Sequence, residues 1–148
     1  MKKIILFKAL FFYILFNINL FAAETNFLEE GIKYYEKKDF KKSKIFFERD
    51  IVFNPESEKS YLYLAKIFNN NKNDEEQEIN LNNTLLINPN NDEAMYMLIL
   101  LKIKQSDYIA TKELIERFVL VCKSLCEKEE EIKNKLKKLS PENDTSKN

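Results

Sequence analysis

The chain predicts an all-α fold in which three helical hairpins stack in series and one further helix closes the end. Three observations carry that prediction. Asn54-Pro55 and Asn88-Pro89 are identical dipeptides 34 residues apart, and each follows an apolar and aromatic run that proline cannot extend as helix. A fixed period of this length marks a repeat whose unit is one helical hairpin, too small to bury its apolar face without a neighbour. Apolar residues recur at spacings of three and four, and Gly31 is the single glycine in 148 residues, which leaves hairpin-rich β structure without its turn residues.

The first 23 residues have a different character. Met1-Lys2-Lys3 is a short basic start, residues 4–21 are strongly apolar, and Ala22-Ala23 stand just before Glu24. This is the layout of a secretory signal peptide. An uncleaved anchor is the alternative, since about 18 apolar residues just reach across a bilayer. The longest uninterrupted apolar block, residues 9–16, suits a signal core better than a span. No cysteine follows the apolar stretch directly, so lipid modification of the N-terminus is not expected. Lys/Asn-rich, Arg-poor usage behind such a leader points to a bacterium and to the periplasm or cell envelope.

Residues 24–148 are enough for one domain. Lysines and arginines equal acidic residues at 24 each, and removing Lys2, Lys3 and Lys8 with the leader leaves a formal charge of three negative. A nucleic-acid or anionic-membrane surface needs a basic excess, so both are excluded as expected partners of the mature chain. Membrane attachment would require the leader to remain.

Aligned on the prolines, the chain falls into windows 24–57, 58–91 and 92–123. In the first, Phe27, Gly31 and Tyr34 recur at helical spacing, Lys38-Asp39 breaks the pattern, and a second face runs through Phe40, Ser43, Phe47 and Ile51. The second repeats the scheme with Tyr61, Leu64, Ala65 and Phe68, a polar break over residues 69–74, then Leu81, Thr84, Leu85 and Ile87. The third uses Met95, Leu98, Ile99 and Leu101, a break at Ser106-Asp107, then Tyr108, Thr111, Ile115 and Phe118. Asp39, Asn73 and Asp107 are placed to cap second helices, Ser57 and Asn91 to cap first helices. Two antiparallel helices approach closely only where one side chain is small, which is the role of Gly31 and Ala65. Ser124 with Glu127 reads as a capping box opening a last helix over 124–139, whose apolar stripe is Leu125, Ile132, Leu136 and Leu139. From Ser140 onward no apolar residue remains, and residues 140–148 are expected to be a disordered tail.

These residues resemble the tetratricopeptide repeat family. The 34-residue period, the series Tyr61, Leu64, Ala65 and Phe68, the Asp39-Phe40 and Asp107-Tyr108 turns and the Asn-Pro repeat ends match its pattern over nearly the whole of residues 24–123. The third repeat departs from it, with Ile99 at the small position and Lys123 for the terminal proline, and so do Ser43, Gln77 and Thr111 early in the second helices. The resemblance implies a right-handed solenoid, with looser packing at the departures. It also implies a concave groove lined by first helices: Leu28, Ile32 and Tyr35, then Leu62, Tyr63, Lys66 and Asn69, then Tyr96, Met97, Leu100 and Ile103. Some members hold acidic C-terminal peptides in a basic clamp; the matching positions here are Leu28, Ile32, Tyr63, Glu93 and Met97, so that partner class is disfavoured. An ordinary helical bundle with chance periodicity is the alternative fold.

Cys122 and Cys126 are the only thiols. An exported chain places them where disulfides persist, and an elbow between the last turn of one helix and the first turn of the next brings them within reach of each other. A structural disulfide replacing the missing proline is therefore expected. Free thiols are the alternative. Thiol redox activity is weaker, because redox pairs normally have two residues between the cysteines and here there are three. A metal site would need four thiolates from a dimer.

Nothing here reads as a catalytic set. The chain has no histidine, no glycine-rich phosphate loop and no nucleophile elbow, and its acidic runs Glu29-Glu30, Asp74-Glu75-Glu76 and Glu129-Glu130-Glu131 sit at helix starts or solvent faces. The expectation is a scaffold, not an enzyme, without cofactor or metal, that docks an amphipathic helix or extended apolar segment of a protein partner. Two alternatives stand beside it: a self-associating structural protein, and a membrane-tethered assembly scaffold if the leader stays. Part of the groove stripe is equally readable as core.

Overall fold

The computed structural model describes residues 26–140; the leader 1–23 and the tail beyond Ser140 lie outside the described residues. Seven α-helices follow one another: α1 Phe27–Glu36, α2 Phe40–Phe53, α3 Glu58–Asn70, α4 Asp74–Ile87, α5 Asp92–Lys104, α6 Tyr108–Val121 and α7 Glu129–Leu139, the last preceded by a 3₁₀ turn, Cys126–Lys128. No strand occurs among the described residues. The protein is thus all-α, as its composition predicts.

Helix boundaries keep the sequence period. α2, α4 and α6 begin and end at 34-residue intervals, and so do α3 and α5; α1 ends in that register but starts three residues late, at Phe27. The turns repeat too. Lys38, Lys72 and Ser106 have φ of 60°, 57° and 59°. Each closes a first helix with the paired bonds of a Schellman turn, for example Lys72 N–H to the Asn69 carbonyl and Asn73 N–H to that of Phe68, both at 3.0 Å. Glycine is the usual residue there, and its absence costs about 1–2 kcal/mol per turn. The next residue then caps the second helix: Asp39, Asn73 and Asp107 accept N–H bonds from Lys42, Glu76 and Ala110.

Each helix packs on the helices before and after it, α1 also meets α3, and α5 meets α7. Between the helices of a hairpin, size is traded position by position. Gly31 is fully covered by the ring of Phe47; a Cβ on Gly31 would lie 2.5 Å from Phe47 Cε1 and 2.7 Å from its Cδ1. In the same register the second hairpin has Ala65 and Leu81, and the third Ile99 and Ile115, all four at most 4% exposed. From the first hairpin to the second the small position grows from Gly to Ala and its counterpart shrinks from Phe to Leu; in the third, Ile99 faces an isoleucine as large as that leucine, and the pair is bulkier. This bulkier pair goes with fewer close backbone approaches between α5 and α6 than between the helices of the first two hairpins, while Ile99 itself is 0% exposed. Two buried clusters result. Phe47, Leu64 and Ile67 form one with Leu28, Ile32, Tyr35, Phe40, Ile51, Tyr63 and Phe68 around it. The other, from Leu62 to Ile132, is mainly aliphatic.

The joints between hairpins use three chemistries. At the first, Asp50 accepts the hydroxyls of Ser57 and Ser60. Ser57, expected to cap α3, thus turns its hydroxyl away, and α3 has no side-chain cap bond. At the second, Asn91 caps α5 through Ala94 N–H and donates its amide to Glu58. At the third, Asp92, in the register position of Glu58, accepts from Lys123 N–H, Ser124 N–H, Ser124 Oγ and Leu125 N–H at 2.7–3.1 Å.

That clamp corrects the expected capping box. Ser124 is committed to Asp92, Glu127 lies within the 3₁₀ turn, and α7 starts at Glu129 without a side-chain cap. Leu125, at φ −115° and ψ 18°, is outside the helical region, so no α-helix runs on from Ser124. α7 nevertheless seals the stack. Ile132 is fully buried, in register with Leu98 and Leu64, while Leu125 and Leu136 pack against the same cluster.

Candidate functional site

The predicted groove residues fall into three groups. Leu28, Ile32 and Tyr35 of α1, Tyr63 of α3, and Tyr96, Met97, Leu100 and Ile103 of α5 are half-buried and rest on the core clusters. Leu62 is core, 7% exposed. Lys66 is half-buried and Asn69 exposed.

Side chains join the first helices edge to edge. The Tyr35 and Tyr63 rings meet at 5.0 Å between centroids, linking α1 to α3. Lys66 lies 4.9 Å above the Tyr63 ring and pairs with Glu93 at 2.8 Å, linking α3 to α5. Tyr96 reaches Glu131 at 3.4 Å, linking α5 to α7. These contacts form one continuous, largely apolar surface. Lys66, the cation within this row, is already paired with Glu93.

One cleft of about 210 Å³ opens on this surface, lined by Asn69, Gln77, Met97, Leu100, Leu101 and Lys104. Asn69, Met97 and Leu100 belong to the predicted groove. Gln77 does not, because it lies on a second helix, α4; Leu101 and Lys104 lie on α5 but outside the positions that the resemblance assigns to the groove. Lys104 is paired with Asp74 at 2.6 Å, and nearby Lys102 is paired with Glu78 at 2.5 Å. The Lys102 and Gln105 bonds to Glu78 outweigh its partial burial and hold its carboxyl below the usual range.

A second apolar feature shares the 34-residue period. Val52, Leu86 and Leu120 stand 34 residues apart near the ends of α2, α4 and α6, and are 75%, 80% and 84% exposed. Ile45 and Ile79 add a second exposed rung on α2 and α4.

The cysteines are joined. Cys122 Sγ and Cys126 Sγ lie 2.11 Å apart, with Cα atoms 5.3 Å apart. Cys122 follows α6 directly, in the register of Asn54 and Asn88, so the bridge stands where the Asn-Pro stop is missing. The clamp beside it is acidic. Partial burial works against the Asp92 charge, but the bonds from Lys123, Ser124 and Leu125 prevail and hold its carboxyl below the usual value. Among the described residues, no three His, Cys, Asp or Glu side chains gather as a metal set, and no helix is long and apolar enough to cross a membrane. No protein-family model matches the chain, and no curated protein is significantly similar to it.

Proposed function

We propose that this chain is a non-enzymatic binding scaffold of the tetratricopeptide type, a right-handed solenoid exported to the periplasm or cell envelope, whose first helices dock a segment of a partner protein. The observation that supports this most is the row Tyr35–Tyr63, Lys66–Glu93 and Tyr96–Glu131, which joins the three first helices and α7 along one largely apolar face. Half-buried residues on such a face are already ordered by the core beneath them. A partner would gain apolar contact without much loss of side-chain freedom. Crosslinking in the native cells, with Tyr63→Glu and Met97→Glu as controls, tests the reading. Both substitutions should abolish the crosslinked partner while helical content by circular dichroism stays unchanged; a partner retained by both would refute it.

Self-association is the second reading, favoured by the exposed ladder. If two copies met face to face with α4 against α4, α2 of each would face α6 of the other. Exposed charges of both signs, Lys41, Lys42, Glu48 and Arg49 on α2 and Lys112, Glu113, Glu116 and Arg117 on α6, would then flank the rungs Val52, Leu86 and Leu120. Sedimentation of native protein against concentration decides this. A dimer that Leu86→Glu dissociates supports it, and a monomer at all concentrations removes it.

A further inference from the structure

The register exposes one polar group that the fold does not use. Ser43, Gln77 and Thr111 occupy the same position in α2, α4 and α6, and all three are buried. Ser43 Oγ donates to the Gly31 carbonyl at 2.9 Å, and Thr111 Oγ1 donates to the Asp107 carbonyl at 2.6 Å. Gln77 is 4% exposed, yet its carboxamide has no hydrogen-bond partner among the described residues. No fully buried side-chain nitrogen or oxygen among those residues lacks a partner, so the residual exposure of Gln77 must include its carboxamide. The surface onto which it opens is the cleft it lines with Asn69, Met97, Leu100, Leu101 and Lys104.

We infer that this cleft reads main chain: the Gln77 carboxamide hydrogen-bonds a peptide group of an extended partner segment, one of whose apolar side chains enters beside Met97, Leu100 and Leu101. The inference rests on the groove reading above and narrows its partner. A carboxamide offers an acceptor and two donors side by side, the complement of a peptide C=O and N–H. A helical segment keeps those groups for itself except at its ends, so an amphipathic helix leaves Gln77 unanswered; an extended segment supplies them. Size agrees. Small-molecule sites occupy about 300–1,000 Å³, whereas about 210 Å³ suits one side chain. Where the other hairpins carry a hydroxyl bonded within the protein, Gln77 turns its carboxamide to the cleft, and a peptide group can take the place of solvent there.

The test selects binders from a displayed library of random linear heptapeptides on the full chain and measures their affinity by calorimetry. Each peptide bond of the best binder is then replaced in turn by an ester. One ester should weaken binding about tenfold, the effect of losing a hydrogen bond to a buried group. Gln77→Met should weaken the parent peptide by a similar factor and make that ester harmless. The ester series reads the unaltered protein, so the test stands even if Gln77→Met does not fold. Peptides that Met97→Glu releases but that neither the esters nor Gln77→Met affect would overturn the main-chain contact and leave the groove reading intact. Peptides indifferent to Met97→Glu as well would overturn both. A library that yields no binder would overturn the inference, leaving Gln77 as a carboxamide that only hydrates the cleft.

Discussion

The first and third hairpins solve one packing problem in opposite ways. In the first, the Phe47 ring lies on a glycine, and rings surround the contact: Tyr63 stacks on Phe47 at 5.0 Å, with Tyr35 edge-on to Tyr63. In the third, Ile99 and Ile115 take those register positions within an aliphatic cluster. A small residue is thus not itself what a hairpin needs: the first seats a large ring on a glycine, while the third holds two branched side chains between helices that make fewer close backbone approaches, since interiors are packed to crystal density and tolerate neither void nor overlap.

The largest expected break in the comparison is on the aliphatic side. Ile99→Ala opens a cavity beneath a residue with no exposure, and should cost about 2–4 kcal/mol in chemical denaturation. The aromatic side fails in the reverse direction. Gly31→Ala forces a methyl into the Phe47 ring and should cost about 1–3 kcal/mol. Adding Phe47→Leu recreates the Ala–Leu pair of the second hairpin, and the double variant should be more stable than the two single losses sum to by about 1 kcal/mol. Additive losses would show that the volume trade is not the operative rule.

The ends of the stack extend the contrast. The first joint relies on Asp50, Ser57 and Ser60, the last on a disulfide and Asp92. Replacing both cysteines with serine should cost about 2 kcal/mol on the chain-entropy model, since the bridge spans only four residues in sequence. Amide exchange should quicken in α7 and stay unchanged in α1 and α2. Asp92→Asn is the smaller change, about 1–2 kcal/mol. Its pH dependence has a defined sign. Because the folded Asp92 pKa is depressed, its contribution is fully present above the unfolded value of about 3.9 and is lost as pH falls through the lower folded value. Asp92→Asn should therefore remove part of the acid destabilisation seen in the native chain, read as a flatter dependence of unfolding midpoint on pH below about 4.

Much of this was legible beforehand. The Asn-Pro period located the hairpins, Asp39, Asn73 and Asp107 marked second-helix starts, and the cysteine pair followed from the elbow between two helices that separates Cys122 from Cys126. Other features were hidden for physical reasons. The three left-handed turn residues are Lys, Lys and Ser, and without glycine they carry no compositional mark. The Asp92 clamp joins residues more than 30 positions apart, so no local pattern announces it. Gln77 could be seen as a departure from a small residue. Only the satisfied hydroxyls of Ser43 and Thr111 reveal that it differs from them in having no internal partner. The exposed ladder Val52, Leu86 and Leu120 was available to anyone counting in steps of 34, but burial must be known before an apolar residue there reads as surface.

Lys133 holds the register place of Gly31, Ala65 and Ile99, and its ammonium pairs with Glu129 on the same helix. A further helix laid against α7, as α2 lies on α1, would have to dehydrate that cation, a loss of several kcal/mol that contact with one methylene stem could not offset. This face of α7 is thus poorly suited to receive another hairpin or the leading end of a second molecule.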